Sequence, residues 1–328
     1  MILITGGGTG GHLSIARSLK EAFNELGEPV VYVGSTRGQD RSWFENESGF
    51  EATYFLQSGG VVDKKGIAKL SSLARIFEAT LQARKILRRH RVKAVVSVGG
   101  YAAAPASFAA IVTRTPLFIH EQNAHTGRLN KVLRPFGRRF FCSFLPPYDP
   151  YPVNPSFYHK RRLRTKLQRV IFLGGSQGAA QINRIALQMA PSLANKGIRI
   201  IHQTGKREFH TVAAEYARLG IEAEIFPFHP DLASKMAQAD LAISRAGAST
   251  VWELAANALP AIFVPYPHAA ADHQRYNALF IQKRGGAELY EDGLDLWDLD
   301  LYAMSRALME LFEPEGAKKI AKEILRLI

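Results

Sequence analysis

The 328-residue sequence is poor in cysteine and lacks a long apolar run. Its one cysteine, Cys142, excludes an intrachain disulfide and a zinc site built from several cysteines, and is typical of a small buried side chain. No stretch reaches the roughly 18 consecutive apolar residues that a membrane-spanning helix needs. The first residues lead straight into an apolar strand pattern, without the basic and apolar regions of a signal peptide. We therefore expect a protein that is kept in the cytoplasm.

Acidic residues are in deficit, with 29 Asp and Glu against 42 Lys and Arg, so that the formal net charge is +13. Such an excess favours polyanionic partners, which are nucleic acid, anionic lipid or phosphorylated substrates. No groove-reading or base-stacking motif accompanies the charge, and this argues against nucleic acid. The content of 47% hydrophobic and 22% charged residues is that of a globular protein with substantial cores.

Both halves of the chain open with the same pattern of an apolar strand, a glycine loop and a helix. The strand from Ile2 to Thr5 precedes GGGTGGH, and the strand from Arg169 to Leu173 precedes GGSQGA. Further apolar runs separated by helical patterns predict an α/β protein with two doubly wound, mostly parallel sheets. Five prolines between Arg139 and Pro155 predict an irregular linker there.

We place the predicted domains at residues 1–153 and 154–312. A basic amphipathic helix over about 313–328 follows a proline and is expected to pack back on the first domain.

The first glycine loop fits the G-x-G-x-x-G dinucleotide pattern through Gly6, Gly8 and Gly11, ahead of a helix predicted from Leu13 to Leu26. A nicotinamide site also needs an acidic residue after the second strand, and the run from Val33 to Thr36 has none. What remains is a bare backbone before a helix N-terminus, which favours a diphosphate. The alternative is an ordinary tight turn.

The second glycine loop brings Ser176 and Gln177 to another predicted helix N-terminus. Two such N-termini, one from each domain, would converge on one interdomain cleft. That arrangement suits the binding of a nucleotide diphosphate and its stabilisation as a leaving group without a metal. Two plain strand-to-helix turns are again the alternative.

Polar clusters follow three other predicted strands. They are Gly99-Gly100-Tyr101, the run HEQN at 120–123, and SRAGASTVWE at 244–253. Four polar residues after a buried strand are costly unless they line a site or satisfy one another. In the third cluster, Ser249 or Thr250 with Glu253 also fits a simple capping box. His268, Asp272 and His273 are too few for a metal site, and we expect none.

A long basic stretch between Lys64 and Arg91 has apolar residues at helical spacing. Packing of a helix on the sheet is one explanation, and contact with an anionic membrane surface is the other. The residues that we assign to membrane contact are Leu70, Leu73, Phe77, Arg84, Lys85, Arg88 and Arg89.

Several long motifs in a fixed order resemble one known family. They are GGGTGGH, GGYAAAPA, HEQNAHTGRLNK, GGSQGA and SRAGASTVWELAANALPAIFVPYPHAAADHQRYNA. Together they are similar to the MurG family of bacterial N-acetylglucosaminyltransferases. The resemblance implies the GT-B architecture, with two Rossmann-like domains, and an inverting, metal-independent transfer of GlcNAc from UDP-GlcNAc to the 4-hydroxyl of the muramoyl sugar of lipid I.

The resemblance also implies partners. These are UDP-GlcNAc, the undecaprenyl-diphosphate-linked acceptor lipid I and an anionic membrane surface at the cytoplasmic face of the inner membrane, with other cell-wall synthesis or division proteins as further candidates. No cofactor and no nucleic acid are expected. Another GT-B UDP-sugar enzyme, such as a different glycosyltransferase or a UDP-GlcNAc epimerase, and a non-catalytic nucleotide-sugar binding protein are the competing hypotheses.

Site residues are carried over position by position. The matches to donor-binding positions are Thr9, Gly10, Gly11, Asn123, Ser176, Ala248, Ser249, Thr250, Glu253 and Gln274. Tyr101 and His120 are assigned to the acceptor. His12 is the first candidate for the catalytic base, because a neutral imidazole suits pH 7, and Glu121 is the second. The family's phosphate-binding arginine after Asn154-Pro155 is absent here, and Lys160, Arg161 or Arg162 is left to replace it.

Overall fold

The structure is a computed structural model that describes residues 1–59, 67–175, 178–267, 269–290 and 295–328, with the backbone alone described at 67–70 and 270. The chain divides into two compact units. The first comprises residues 1–153 and 315–328, and the second comprises residues 154–314.

The first unit is a parallel sheet flanked by helices. Its strands are β1 (Ile2–Thr5), β2 (Val30–Ser35), β3 (Ala52–Leu56), β4 (Ala94–Ser97), β5 (Leu117–Glu121) and β6 (Arg139–Cys142). Its helices are α1 (Gly10–Glu25), α2 (Asp40–Phe44), α3 (Ile67–Arg89), α4 (Ala104–Thr113), α5 (Arg128–Leu133) and, from the end of the chain, α13 (Gly316–Arg326).

The second unit repeats this plan. Its strands are β7 (Arg169–Leu173), β8 (Arg199–Gln203), β9 (Ala223–Phe226), β10 (Leu241–Ser244), β11 (Ala261–Phe263) and β12 (Ala287–Leu289). Its helices are α6 (Pro155–His159), α7 (Ala180–Asn195), α8 (Phe209–Arg218), α9 (Leu232–Gln238), α10 (Ala248–Ala256), α11 (His273–Gln282) and α12 (Leu301–Leu311).

Both sheets have six strands, all parallel, with the same order. The first runs β3-β2-β1-β4-β5-β6 and the second β12-β11-β10-β7-β8-β9. In each, the strand order reverses beside the first strand of the unit, between β1 and β4 or between β7 and β10. Open α/β sheets bind ligands outside the carboxyl ends of the strands at this switch point. The predicted pair of doubly wound sheets is therefore confirmed, and each glycine loop follows the strand at the switch point.

Each sheet has its own apolar core. In the first unit Leu3, Val31 and Val95 pack with Ala83 and Leu87 of α3. In the second, a separate cluster joins strands β7, β8 and β10 to α7. Continuous burial along the central strands explains why apolar residues occupy successive positions in their sequences rather than alternate ones.

Three strands differ from the sequence-based expectation. Arg139–Cys142 was predicted to lie in the linker, but it forms β6 and pairs with β5. This prediction was wrong because the prolines begin only at Pro146, after the strand has ended. Ala52–Leu56 and Ala287–Leu289 were not predicted at all. They form β3 and β12, two edge strands whose partly buried residues lack a long apolar run.

The C-terminal helix α13 belongs to the first unit. Ile320, Ala321 and Ile324 are buried, and the Lys318 ammonium lies 3.2 Å from the carboxylate of Glu25 on α1. Within the part of the chain that the structure describes, no helix combines the length and apolar character needed to cross a membrane.

Candidate functional site

The first glycine loop is built by close contact between two backbone segments. A Cβ atom added at Gly6 would lie 2.4 Å from the carbonyl oxygen of Gly99, and one at Gly100 would lie 2.2 Å from that of Gly7. Gly6 and Gly100 also have φ values of +128° and +76°. Only glycine tolerates both conditions, so the loops after β1 and β4 form one rigid shelf.

Helix α1 begins at this shelf, three residues earlier than predicted. It starts at Gly10, with Thr9 as the N-cap residue, and no side chain caps its N-terminus. The first turn contains no acidic residue. Backbone N–H groups and the helix dipole at this end provide the electrostatics of an anion site.

A buried carboxylate lies beneath the shelf. Asp40 accepts hydrogen bonds from the backbone N–H of Gly8 (2.6 Å) and of Ser35 (2.9 Å). The Tyr32 hydroxyl is 2.7 Å from the Gly6 carbonyl oxygen and 3.2 Å from Asp40. Burial raises the pKa of Asp40. Asp40 was not predicted from the sequence, because it lies four positions beyond the run where a dinucleotide site would have its ribose ligand.

The His12 ring is held at both nitrogens. Nδ1 lies 2.9 Å from the Thr9 hydroxyl, and Nε2 lies 2.8 Å from the amide nitrogen of Gln122. With the amide assigned as donor, Nε2 accepts and Nδ1–H donates to Thr9, which fixes a neutral tautomer. The basic lone pair then points at a displaceable amide group. The Oε1 of Gln122 is buried without a partner among the described residues.

Glu121 has a different geometry from His12. Its side chain is buried, and its carboxylate accepts hydrogen bonds from Asn123 N (3.0 Å), Gly127 N (2.8 Å) and Asn130 Nδ2 (2.9 Å). These bonds close the loop between β5 and α5. The geometry therefore supports a positioning role for Glu121 and does not support the second-choice base assignment.

His120 and Tyr101 were both assigned to the acceptor, but they differ in exposure. His120 is completely buried against Tyr151, and burial lowers its pKa to about 3, so the ring is neutral and has no surface to offer a substrate. The direct contact predicted for His120 is not supported. Tyr101 is half-buried, and its ring packs directly on Gly8 and Gly38 beside the shelf.

In the second unit the candidate residues lie at the N-terminus of α10. The alternative explanation of this cluster as a capping box does not hold, because Gly247 is the N-cap and Ser249 and Thr250 are already inside the helix with Ala248. Glu253 is therefore not a capping residue. No described group donates a hydrogen bond to its carboxyl, and burial raises its pKa to about 7.

Gln274 lies on α11, next to an unusual backbone. Its Oε1 accepts a hydrogen bond from Tyr266 N (2.9 Å). Ala271 and Asp272, just before the helix, both have left-handed φ values of 52° and 53°. Such strain costs about 1–3 kcal/mol per residue and concentrates at functional sites.

Three basic residues after Asn154-Pro155, namely Lys160, Arg161 and Arg162, were candidates to replace the family's phosphate-binding arginine, and they differ in their contacts. Asn154 caps α6 by accepting from Ser156 N. Lys160 pairs with Asp231 at 3.3 Å, and Arg162 pairs with Asp240 at 2.6 Å. Arg161 is exposed, and its guanidinium has no ion pair or hydrogen bond within the described residues.

The surface of α3 is apolar and basic. Leu73, Phe77 and Leu81 are 47%, 68% and 43% exposed, so this stripe does not pack on the sheet. The opposite side, with Ala83, Ile86 and Leu87, is buried. Beside the C-terminal half of α3 lies an open cavity of about 450 Å³, lined by Arg84, Arg88, Arg91, Thr113 and Thr115 among others. Lys85 and Arg89 are exposed.

Several predictions fall outside the described part of the molecule. They concern Ser176, Gln177, His268, the side chain of Leu70, and Lys64 and Lys65. Among the described residues, no group of three or more His, Cys, Asp or Glu side chains is placed to hold a metal ion.

Two parallel six-stranded sheets of equal order, each with a glycine loop at its switch point, define the GT-B class of glycosyltransferases. Residues 2–142 match the glycosyltransferase family 28 N-terminal domain, and residues 169–315 match the glycosyltransferase family 28 C-terminal domain.

Similar proteins span the whole chain. A relative from Nitratiruptor is 53% identical over 100% of this chain and 99% of its own length, and one from Campylobacter fetus is 48% identical over 99% and 100%. Both are named UDP-N-acetylglucosamine--N-acetylmuramyl-(pentapeptide) pyrophosphoryl-undecaprenol N-acetylglucosamine transferase. The crystal structure of Acinetobacter baumannii MurG superposes with a TM-score of 0.77 at 26% identity and covers 99% of each chain. The chain belongs to glycosyltransferase family 28 and, within it, to the MurG family.

Proposed function

We propose that this chain transfers GlcNAc from UDP-GlcNAc to the 4-hydroxyl of the N-acetylmuramyl sugar of undecaprenyl-diphosphate-linked lipid I, with inversion at the anomeric carbon, in peptidoglycan synthesis. The observation that carries the proposal is the 53% identity to a transferase of that name over the full chain. The geometry of His12 and of the uncapped helix N-termini supports it, because these features suit a hydroxyl nucleophile and an anionic leaving group.

His12 acts as the general base in this proposal. The acceptor hydroxyl replaces the Gln122 amide as the donor to Nε2, and the ring takes its proton as the oxygen attacks. Thr9 accepts from Nδ1–H and so stabilises the imidazolium that forms. Glu121 holds the loop that presents Gln122 and Asn123, and Asn123 contacts the donor sugar.

Each of the two units contains residues that we assign to the donor. Gly10 and Gly11 offer backbone N–H groups to the diphosphate, and Ser176 contributes its hydroxyl. Glu253 accepts from the ribose hydroxyls, with Ala248, Ser249 and Thr250 along the nucleotide. Gln274 contacts the sugar hydroxyls. Arg161 is the group that replaces the family's phosphate-binding arginine, since Lys160 and Arg162 already have partners.

The first unit also provides the membrane contact. We assign this role to the exposed stripe of Leu73 and Phe77, to Leu70 from the sequence pattern alone, and to Arg84, Lys85, Arg88 and Arg89 on the same helix. The stripe enters the headgroup region while the cations contact anionic lipid. The chain is then a peripheral protein at the cytoplasmic face of the bacterial plasma membrane, where its acceptor lies.

The test is transfer of labelled GlcNAc from UDP-GlcNAc to a lipid I analogue in the presence of a chelator. Formation of a disaccharide product with inverted configuration is the expected result. Conversion of UDP-GlcNAc without any acceptor would identify an epimerase instead. Tight binding of UDP-GlcNAc with no turnover on any lipid I analogue would contradict the proposal and favour a binding protein.

A further inference from the structure

A second, smaller cavity lies at the strand ends of the first unit. It has a volume of about 210 Å³ and is lined by Thr36, Arg37, Ser58, Ser72 and Arg75 among others. Thr36 and Arg37 follow β2, Ser58 follows β3, and Ser72 and Arg75 lie three residues apart on one face of α3. The cavity is therefore at the ligand-binding edge of the sheet, not at its amino end.

The chemistry of the cavity is cationic and rich in hydroxyl groups. Arg37 and Arg75 supply two guanidinium groups, and neither has an ion pair within the described residues. None of the described lining residues is acidic. Among these groups, the Ser58 hydroxyl gives the strongest indication of a ligand. The residue is 3% exposed, and its Oγ has no hydrogen-bond partner among the described residues. A buried hydroxyl of this kind requires an explanation, and a bound anion supplies one.

The cavity adjoins the glycine shelf. Gly38 follows Arg37 directly, and a Cβ atom there would lie 2.7 Å from Gly8 Cα and 2.8 Å from the Tyr101 hydroxyl. The Arg37 charge also opposes the rise in the pKa of Tyr101 that burial causes. Tyr101 thus stands between the shelf and the cavity, close enough for one extended substrate to contact both.

We propose that Arg37, Arg75, Ser58 and Thr36 form a binding subsite for the pyrophosphate of the lipid-linked acceptor. This inference rests on the proposed function, because that function supplies an acceptor with a pyrophosphate between sugar and lipid. Two guanidinium groups match a doubly charged pyrophosphate and bind its oxygens through paired N–H donors. The hydroxyl of Ser58 donates to one further oxygen.

The position of the cavity beside α3 favours pyrophosphate over a carboxylate of the acceptor peptide. Arg75 is two residues from both Leu73 and Phe77, so it lies on a different face of the helix from these two exposed apolar side chains. A pyrophosphate held at Arg75 would keep the polyprenyl chain close to the helix that we assign to membrane contact.

The kinetic test compares Arg37→Gln, Arg75→Gln and Ser58→Ala with the matched control Arg138→Gln. Arg138 is an exposed arginine of the same unit just before β6, at the opposite edge of the sheet. With a short-chain, water-soluble lipid I analogue, each arginine variant should raise the acceptor KM about tenfold or more. Ser58→Ala should raise it about threefold to tenfold. The KM for UDP-GlcNAc and the control should change less than about twofold.

An acceptor analogue without its peptide distinguishes the two sources of negative charge. If the arginine effect persists on this analogue, the pyrophosphate assignment is supported. If the effect disappears with the peptide, the cavity binds a peptide carboxylate and the assignment is overturned. Unchanged acceptor KM in both arginine variants would also overturn it.

Direct binding separates this inference from the proposed function. Titration with farnesyl pyrophosphate, followed by calorimetry, should show binding to the wild type and at least tenfold weaker binding to the Arg37→Gln/Arg75→Gln double variant. Farnesol should not compete, and equal binding of farnesol would overturn the subsite. Binding of farnesyl pyrophosphate by a chain that transfers no GlcNAc would contradict the proposed function while leaving the subsite in place.

Discussion

At the scale of single residues, His12 and Glu121 are the two candidates for the catalytic base, but their surroundings in the structure differ. His12 Nε2 faces an amide that a substrate hydroxyl can replace, whereas every oxygen of Glu121 is engaged by groups of its own loop. We therefore expect replacement of His12 to lower catalysis and replacement of Glu121 to lower stability.

His12→Ala should lower kcat by about 10²–10⁴-fold, which is the usual contribution of a positioned general base. Donor affinity should change little, because we assign the diphosphate to Gly10, Gly11 and Ser176 and the ribose to Glu253, and none of these contacts uses the His12 ring. Steady-state kinetics with saturating donor, together with calorimetric binding of UDP-GlcNAc, measure both quantities. Glu121→Gln is the comparison. It should lower the melting temperature and keep the pH dependence of kcat. Loss of the acidic limb, which is the fall in kcat at low pH, in Glu121→Gln would instead identify Glu121 as the base.

The buried carboxyl of Glu253 should make the stability of the protein depend on pH. Burial raises its pKa from 4.5 to about 7, so the folded protein binds a proton that the unfolded chain releases earlier. Its contribution to stability is present in full below about pH 4.5 and is lost as the pH rises to about 7.

The free energy of unfolding of the wild type, minus that of Glu253→Gln, should therefore fall between about pH 4.5 and 7 by on the order of 1–3 kcal/mol. Urea denaturation without donor at pH 5, 6, 7 and 8 measures it. The glutamine variant does not titrate and is its own control. A constant difference across this range would show that the carboxyl is solvated in the folded state.

At the scale of residues, the sequence carried local signals. GGGTGGH predicted a bare backbone before a helix N-terminus, and the structure has one after β1. The diphosphate that this backbone would bind stays a prediction. The role of Asp40 was not predictable, because its partner Gly8 lies 32 positions away in the sequence. Nothing in the segment around Asp40 indicates which backbone group its carboxylate will bind. Gln122 was visible as part of HEQN, but its contact with His12 spans 110 positions and needed the fold.

At the scale of secondary-structure elements, the central strands were predictable, whereas three of the four edge strands, β3, β6 and β12, were not. β1, β4, β7 and β10 are buried on both sides, so apolar residues follow one another in their sequences. The edge strands β3 and β6 carry mixed residues, because part of each is exposed. The start of α1 at Gly10 was also missed, since glycine is a poor helix former and tertiary contacts decide its conformation.

Arg164 joins two helices of the second unit. It is completely buried, and its guanidinium donates to the carbonyl oxygens of Met236 and Ala239 at the end of α9 and to Asn257 at the end of α10. Carbonyl groups at helix C-termini lack part of their intrahelical hydrogen bonding, and Arg164 supplies these with a charged donor. Burial lowers the pKa of Arg164 to about 9, so the group keeps its charge at neutral pH.

Arg164→Met should reduce the free energy of unfolding by about 2–4 kcal/mol, because several buried carbonyl groups lose their donor at once. Thermal unfolding of the full chain measures the effect as a lower melting temperature. Arg184→Met on α7 is the matched control, since Arg184 is exposed and should be nearly neutral. Equal melting temperatures for the two variants would show that water replaces the guanidinium.

At the scale of the whole molecule, the net charge of +13 is better understood from its distribution than from its size. Arg84, Lys85, Arg88 and Arg89 lie within two turns of α3, on the helix that also exposes Leu73 and Phe77. Basic residues close to an anionic bilayer contribute about 1 kcal/mol each, and the apolar stripe adds burial in the headgroup region.

Reversal of these four charges to Glu should weaken binding to vesicles containing anionic lipid by at least about 100-fold, while transfer to a water-soluble acceptor stays within about twofold. Co-sedimentation at several salt concentrations measures the binding, and the wild type should lose affinity as salt rises. The control reverses Lys166, Arg184, Arg199 and Arg207, which are exposed in the second unit and give the same net charge. If both variants lose affinity equally, total charge and not α3 determines membrane binding, and the docking surface must be sought elsewhere.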